Sequence, residues 1–205
     1  MSNLDTPEKK VSYGFGLQFG QQIMNNLFDG FDLDAVFAGI ADIVKQQPIK
    51  LDDEALNNAF ETVQQAMQKQ RAEFAEKMAE LSKTFLEKNA KREGVQITSS
   101  GLQYEVLEEG AGPKPGETSN VVTHYEGTMI DGRVFDSSIQ RGEPATFGVN
   151  QVIKGWTEAL QMMNAGAKWR VAIPAELAYG DAGAPPSIPG GAALVFDIHL
   201  IEVLD

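Results

Sequence analysis

The chain contains no cysteine among its 205 residues. Neither disulfides nor thiolate chemistry is available to it, and the absence is compatible with any redox compartment. Only two histidines occur, His124 and His199. They are too few and too isolated for a metal site or a catalytic triad, and each falls in an expected strand where a sheet-surface or hydrogen-bonded role accounts for it. There is no G-x-S-x-G elbow, no P-loop and no H-E-x-x-H. Carboxylates are plentiful but form no pair suited to glycoside chemistry; Glu108-Glu109 reads as a solvated face. No apolar run approaches the ~18 residues that a bilayer span requires. The N-terminus, Met1-Ser2-Asn3-Leu4-Asp5-Thr6-Pro7-Glu8, has neither a basic n-region nor an apolar h-region, so a cytoplasmic address is the expectation. Basic side chains are in deficit: 17 Lys and Arg against 29 Asp and Glu give a net charge of -12. An acidic surface repels phosphate, which makes nucleic acid and anionic membrane poor partners. A hydrophobic fraction of 42% supports a packed core and excludes global disorder.

Residues 1–50 read as two short helices. Thr6 or Asp5 caps the first, with Pro7 at the first helical position, where a missing N–H is harmless. Its body carries Val11, Phe15, Phe19, Ile23 and Leu27 at i, i+4 spacing. Gly16 and Gly20 lie four apart, a spacing that suits close approach of another helix; frayed structure around Tyr13-Gly14-Phe15-Gly16 is the alternative. The second helix starts near Asp32, is expected to bury Val36, Phe37, Ile40 and Val44, and ends before Pro48. From Asp52 to Glu93 no Gly or Pro intervenes. Leu56, Phe60, Val63 and Met67, then Phe74, Met78, Leu81 and Phe85, form a near-heptad seam with one stutter. Asp52 and Asp53 start this helix and Lys91, Arg92 and Gly94 end it. Its length would be roughly 60 Å, against roughly 35–40 Å for a domain of this size, so it is expected to act as a spacer or as part of a bundle. Two short helices make a poor core alone. Self-association as a two-fold dimer is the expectation; folding back on the long helix within one monomer is the alternative.

After Gly94 the apolar period changes from 3.6 to 2. Leu102, Tyr104 and Val106 mark a strand, Gly110 to Gly116 a loop, and residues 119–127 a second strand. Asp131-Gly132 signals a hairpin between Thr128-Met129-Ile130 and Arg133-Val134-Phe135. A strand over 145–149, a short helix over 156–163 and a strand through Trp169, Val171 and Ile173 follow. Residues 175–190 form a long Gly/Pro-rich loop, and residues 193–203 close the sheet. The fold class is therefore α+β: a C-terminal antiparallel sheet wrapped on a short helix, preceded by a long helix and an all-α N-terminal region. The expected division is 1–50 for dimerisation, 51–94 for the connecting helix and 95–205 for the α+β domain.

Tyr125, Phe135, Trp156, Tyr179 and Phe196 all stand at strand or helix ends, where their rings can converge; ordinary core packing is the competing account. The ordered motifs His124-Tyr125-Glu126-Gly127, Phe135-Asp136-Ser137-Ser138, Val152-Ile153-Lys154-Gly155-Trp156, Ala178-Tyr179-Gly180 and Leu194-Val195-Phe196-Asp197 resemble the FKBP-type peptidyl-prolyl isomerase family, which binds tacrolimus and rapamycin. The resemblance covers about residues 95–205, and the helical layout before it resembles the Mip-like bacterial subgroup.

This resemblance implies an isomerase (a rotamase) that speeds protein folding without a cofactor, acting on proline-containing peptides and unfolded proteins and binding macrolides. The apolar faces of the N-terminal helices point to a homodimer through them, and the acidic charge to no nucleic-acid or membrane partner. A dimeric chaperone-type binder of unfolded chains, with isomerisation secondary, is the alternative. Tyr125, Phe135, Asp136, Tyr179 and Phe196 match the catalytic positions. Trp156 matches the indole floor, Val152 and Ile153 the rim, Arg141 the partner of Asp136, and Phe147 and Ile188 apolar supports. Ala145 departs from a wall-forming Phe, and Ala184 and Ser187 from larger loop residues, so the pocket is expected to be wider and its macrolide affinity lower.

Overall fold

The computed structural model describes residues 4–24 and 26–204. The chain divides into two compact units, Met1–Lys69 and Gln70–Asp205.

The first unit is helical. Helix α1 spans Pro7–Met24 and runs without interruption through Tyr13–Gly16, where fraying was the alternative. The Thr6 hydroxyl accepts from the Lys9 N–H at its start. Leu27 lies beyond its end rather than in its body. Helix α2 spans Leu33–Val44. The Asp32 carboxylate caps it, accepting from the N–H groups of Asp34 at 2.8 Å and Ala35 at 3.1 Å. The burial expected of Phe37, Ile40 and Val44 on the second helix does not hold within one chain. Val11, Phe15, Phe19, Phe37, Ile40 and Val44 are all exposed, because a single copy offers their apolar faces nothing to pack against. Of the large apolar residues named for these helices, Ile23 and Val36 alone are half-buried.

Helix α3 spans Asp53–Asn89, 37 residues, and the division between units falls inside it. Asp52 caps it, accepting from the Ala55 N–H at 2.7 Å. It ends at Asn89 rather than Glu93. The expected seam is only partly used: Phe60, Phe74 and Leu81 are exposed. Within the second unit the face turned to the protein is a neighbouring stripe through Ala75, Met78, Ser82, Leu86 and Asn89. Ser82 is buried there and its hydroxyl accepts from the Ala193 N–H at 2.8 Å. Asn89 donates to the Gln103 side chain at 2.8 Å, and Gln103 donates to the Leu86 carbonyl at 3.0 Å.

The second unit holds a seven-stranded antiparallel sheet in the order β1-β2-β6-β7-β3-β4, with β5 also paired to β3. The strands are β1 Val95–Ile97, β2 Gln103–Glu108, β3 Asn120–Met129, β4 Val134–Ser137, β5 Ala145–Gly148, β6 Lys168–Ile173 and β7 Leu194–Leu204. β1 was not expected, because three residues are too few to establish a period of two. Helix α4 spans Ser138–Arg141 and α5 spans Lys154–Met162. Alternation decides which face is buried: Val121, Thr123, Tyr125, Gly127 and Met129 of β3 point inward, and His124, Glu126 and Thr128 outward. The inward residues of β3, β6 and β7 pack on Trp156, Ala159, Leu160 and Met163 of α5 and its C-terminal end. Burying a side chain of this size stabilises by about 1.5–3 kcal/mol, so this sheet–helix contact is the main source of the unit's cohesion.

Candidate active site

One edge of β3 is shared. β5 pairs with Asn120–Thr123 and β4 with Glu126–Thr128. Between them the Tyr125 backbone has no strand partner on that edge. The buried Ser138 hydroxyl fills the place: it accepts from the Tyr125 N–H at 2.7 Å and donates to its carbonyl at 3.2 Å. His124 Nδ1 lies 3.1 Å from the same oxygen. Since that hydroxyl's one proton goes to the carbonyl, the histidine donates. Sequence alone does not assign this role to Ser138, because a lone serine after a strand carries no signal that it replaces a ladder bond.

A β-bulge re-aims β4. Gly127 pairs with Asp136 and Thr128 with Val134, which leaves Phe135 as the extra residue. Asp136 lies opposite inward-facing Gly127, and the Phe135 ring lies against the same glycine. Consecutive side chains thus share the site, which regular alternation forbids. Gly127 permits it: a Cβ there would lie 2.6 Å from the Phe196 ring and 2.7 Å from the Phe135 ring. This glycine was also missed as a site residue, because its requirement comes from rings far away in sequence.

Five expected aromatics come together. Trp156 has ring centroids 5.2 Å from Tyr125, 5.3 Å from Phe196 and 5.8 Å from Phe147, each edge-on. Phe135 meets Phe196 at 5.5 Å, also edge-on. Such arrangements satisfy the ring quadrupoles and hold the rings in place. Val152 and Ile153 are half-buried against this core, and Ile153 is the N-cap of α5. Among the described residues the Ile153 N–H has no intramolecular acceptor, and neither does the buried Trp156 Nε1–H. Ile188 is buried in the same core. Tyr179 stands apart: it is 41% exposed on the 178–193 loop and joins none of these ring pairs.

Polar contacts gather at one margin. The Tyr125 hydroxyl donates to Asp136 at 2.6 Å. Arg141, in the last turn of α4, donates to the same hydroxyl at 2.9 Å and forms an ion pair with the other Asp136 oxygen. Its guanidinium also lies 5.5 Å from the Tyr125 ring centroid. Burial raises the Tyr125 pKa, and the hydrogen bond to Asp136 raises it further. For Asp136, burial pushes the carboxyl upward, but the hydrogen bonds from Tyr125 and Arg141 outweigh it and leave the pKa below the usual value. The pair is held as phenol and carboxylate, and neither group is poised to exchange a proton near neutrality.

Two surface grooves of about 350 and 530 Å³ lie elsewhere, one beside Phe85, Arg92 and Arg170 and one beside His124, His199 and Ile139. Neither is lined by Trp156, Phe135 or Phe196. The aromatic site differs from both in its cluster of edge-on rings.

Comparison with known proteins agrees with this geometry. The family described as FKBP-type peptidyl-prolyl cis-trans isomerase matches residues 112–201. A domain described as amino terminal to FKBP-type peptidyl-prolyl isomerase matches residues 8–106. The FKBP-type 22 kDa peptidyl-prolyl cis-trans isomerase of Escherichia coli is 45% identical over 98% of this chain and 97% of its own length. The outer membrane protein MIP of Legionella longbeachae is 39% identical over 98% of this chain and 88% of its own. The crystal structure of FkpA from Escherichia coli superposes with a TM-score of 0.71 at 38% identity, covering 98% of both chains. The cytoplasmic address expected from the N-terminal residues is overturned here, since a relative matching nearly the whole chain is an outer membrane protein. No helix among the described residues is long and apolar enough to cross a membrane. With its sheet, its aromatic site and its full-length relatives in agreement, the chain belongs to the FKBP-type peptidyl-prolyl cis-trans isomerase family and is an isomerase of Xaa-Pro bonds.

Proposed function

We propose that the Xaa-Pro bond turns in the pocket walled by Tyr125, Phe135 and Phe196 and floored by Trp156, with Val152 and Ile153 at its rim. The observation that carries this reading is the set of edge-on rings around Trp156, at centroid distances of 5.2 to 5.8 Å. A dry aromatic surface accepts the apolar pyrrolidine ring and excludes water. Uncatalysed rotation faces a barrier of about 18–20 kcal/mol and takes roughly tens of seconds. Most of that barrier is lost amide resonance. The twisted bond has less charge separation than the planar one, so apolar surroundings disfavour the planar ground state relative to it. The Ile153 N–H donates to a substrate carbonyl, and the Tyr179 hydroxyl holds the chain while the bond turns. Asp136 and Arg141 fix the Tyr125 ring, and Phe147 and Ile188 support the walls. No nucleophile, proton acceptor or cofactor is required. Exchange NMR on a proline-containing tetrapeptide tests this: Phe135→Ala and Trp156→Leu should each lose at least about tenfold in kcat/KM, and wild-type rates in both would sink the reading.

The small Ala145 on β5, with Ala184 and Ser187 on the loop, makes one wall wider. Macrolides such as tacrolimus and rapamycin should therefore bind, but loosely, and Ala145→Phe should tighten them.

A homodimer is the second part of the proposal. It is supported by the exposed Val11, Phe15, Phe19, Phe37 and Ile40 of α1 and α2. Residues 1–50 pair the two copies, 51–94 connect and 95–205 hold the isomerase domain. Unfolded chains are then bound as substrates; no separate observation favours a chaperone role over isomerisation.

A further inference from the structure

Tyr179 and Ile188 sit on a loop with a narrow neck. The Gly191 N–H donates to the Gly180 carbonyl at 3.0 Å, and Ala184 and Ile188 exchange backbone bonds of 2.8 and 3.0 Å inside it. The loop is thus internally braced, and its position depends on what holds the neck. That neighbour is α3. A Cβ at Gly191 would lie 2.7 Å from the Ala75 carbonyl oxygen and 2.9 Å from the Ala79 Cβ, and one at Gly190 would lie 3.2 Å from the Ala75 Cβ. Gly191 also has φ +72, so helix and neck meet where only glycine fits both the space and the backbone. Two residues on, the Ala193 N–H donates to Ser82 Oγ at 2.8 Å across 111 residues of sequence, with both residues buried.

Ala75, Ala79 and Ser82 fall at i, i+4 and i+7, one face of the helix. Met78, between them, packs on the core that contains Ile188. We infer that Ser82, backed by Ala75 and Ala79, is a positioning residue for the substrate loop: the long helix seats the neck of the loop that carries Tyr179 and Ile188, and so sets how tightly the pocket holds its substrate. This inference rests on the reading above, that the loop borders the proline site. The helix does not touch the reacting bond. Its effect therefore falls on substrate affinity and leaves the turning of the bond to the aromatic walls.

The test uses the full chain and a proline-containing tetrapeptide, with KM and kcat measured separately and amide hydrogen exchange followed across residues 180–193. Ser82→Ala should raise KM about fivefold, the scale of one hydrogen bond, with kcat held within about twofold. Exchange across the loop should quicken. Ser82→Thr, which keeps the hydroxyl, should restore KM. Asn89→Ala breaks a helix–sheet bond remote from the neck and should change neither KM nor loop exchange. Should Ser82→Ala fail to fold, Ala79→Val, which crowds Gly191, is expected to give the same split. A wild-type KM in Ser82→Ala, or an equal rise in Asn89→Ala, overturns the inference alone. A wild-type chain inactive on the peptide overturns it together with the reading of the site.

Discussion

The Tyr125 hydroxyl donates to the Asp136 carboxylate at 2.6 Å, and that bond joins two strands, a helix end and an aromatic wall. It fixes the plane of the ring that meets Trp156 edge-on at 5.2 Å. Tyr125→Phe keeps the ring and removes the tie. Losing a hydrogen bond to a charged partner is worth about 1.5–3 kcal/mol, reduced here because Asp136 and Arg141 stay accessible to water. The expected outcome is a fall in kcat/KM of about tenfold with the fold retained, checked by peptide isomerisation beside near-ultraviolet circular dichroism.

Gly127→Ala is the sharper packing test. The added methyl meets both Phe196 and Phe135 under 3 Å, and the buried Phe196 ring is held against the core. Overpacking of this kind destabilises by about 1–3 kcal/mol. Activity should fall more than stability does, because the displaced rings are the walls themselves. Thermal melts and kcat/KM measured on one preparation compare the two losses.

Two pH dependences follow from the shifted groups. Asp136 has its pKa below the usual value, so between its folded pKa and the ordinary value of about 3.9 the unfolded chain binds more protons. Its contribution is present above that window and is lost as pH falls through the folded pKa; the site should be intact at about pH 5. His199 also has a lowered pKa, through burial first and the Lys168 charge second. Below the ordinary histidine value of about 6.5 the unfolded chain protonates while the folded one resists, so stability should rise as pH rises through that window. The melting temperature from about pH 5 to 7.5 should climb in the wild type and flatten in His199→Gln.

The proposed dimer makes its own demand on the exposed faces. Phe15→Asp combined with Phe37→Asp should convert a dimer into a monomer in sedimentation. Peptide isomerisation should persist, since neither residue belongs to the unit that holds the aromatic site. A wild-type chain that sediments as a monomer would remove this part of the account.

Strong periodicity made much of the second unit readable. The alternation in β6 and β7, the Asp131-Gly132 hairpin and the inner face of α5 appear where their patterns put them, because each pattern reports burial directly. The aromatic positions were legible from motif order. What escaped was set by contacts rather than by local pattern. Phe135 bulges because Gly127 leaves room for it. Ser138 replaces a missing strand partner. Ala75 and Ser82 carry little hydrophobic signal beside Phe74 and Leu81, whose larger apolar side chains dominate the pattern while staying exposed. On α1 and α2 the apolar spacing was read correctly as helical, but burial needs a second surface that one chain does not supply.

The central claim is that the aromatic pocket around Trp156 and Phe135 turns prolyl bonds, and refolding of a proline-limited substrate protein tests it most directly. The full chain should accelerate the slow phase in proportion to its concentration, and Phe135→Ala, folded by circular dichroism, should lose most of that acceleration. A slow phase unmoved by the wild type, or moved equally by Phe135→Ala, would contradict the account.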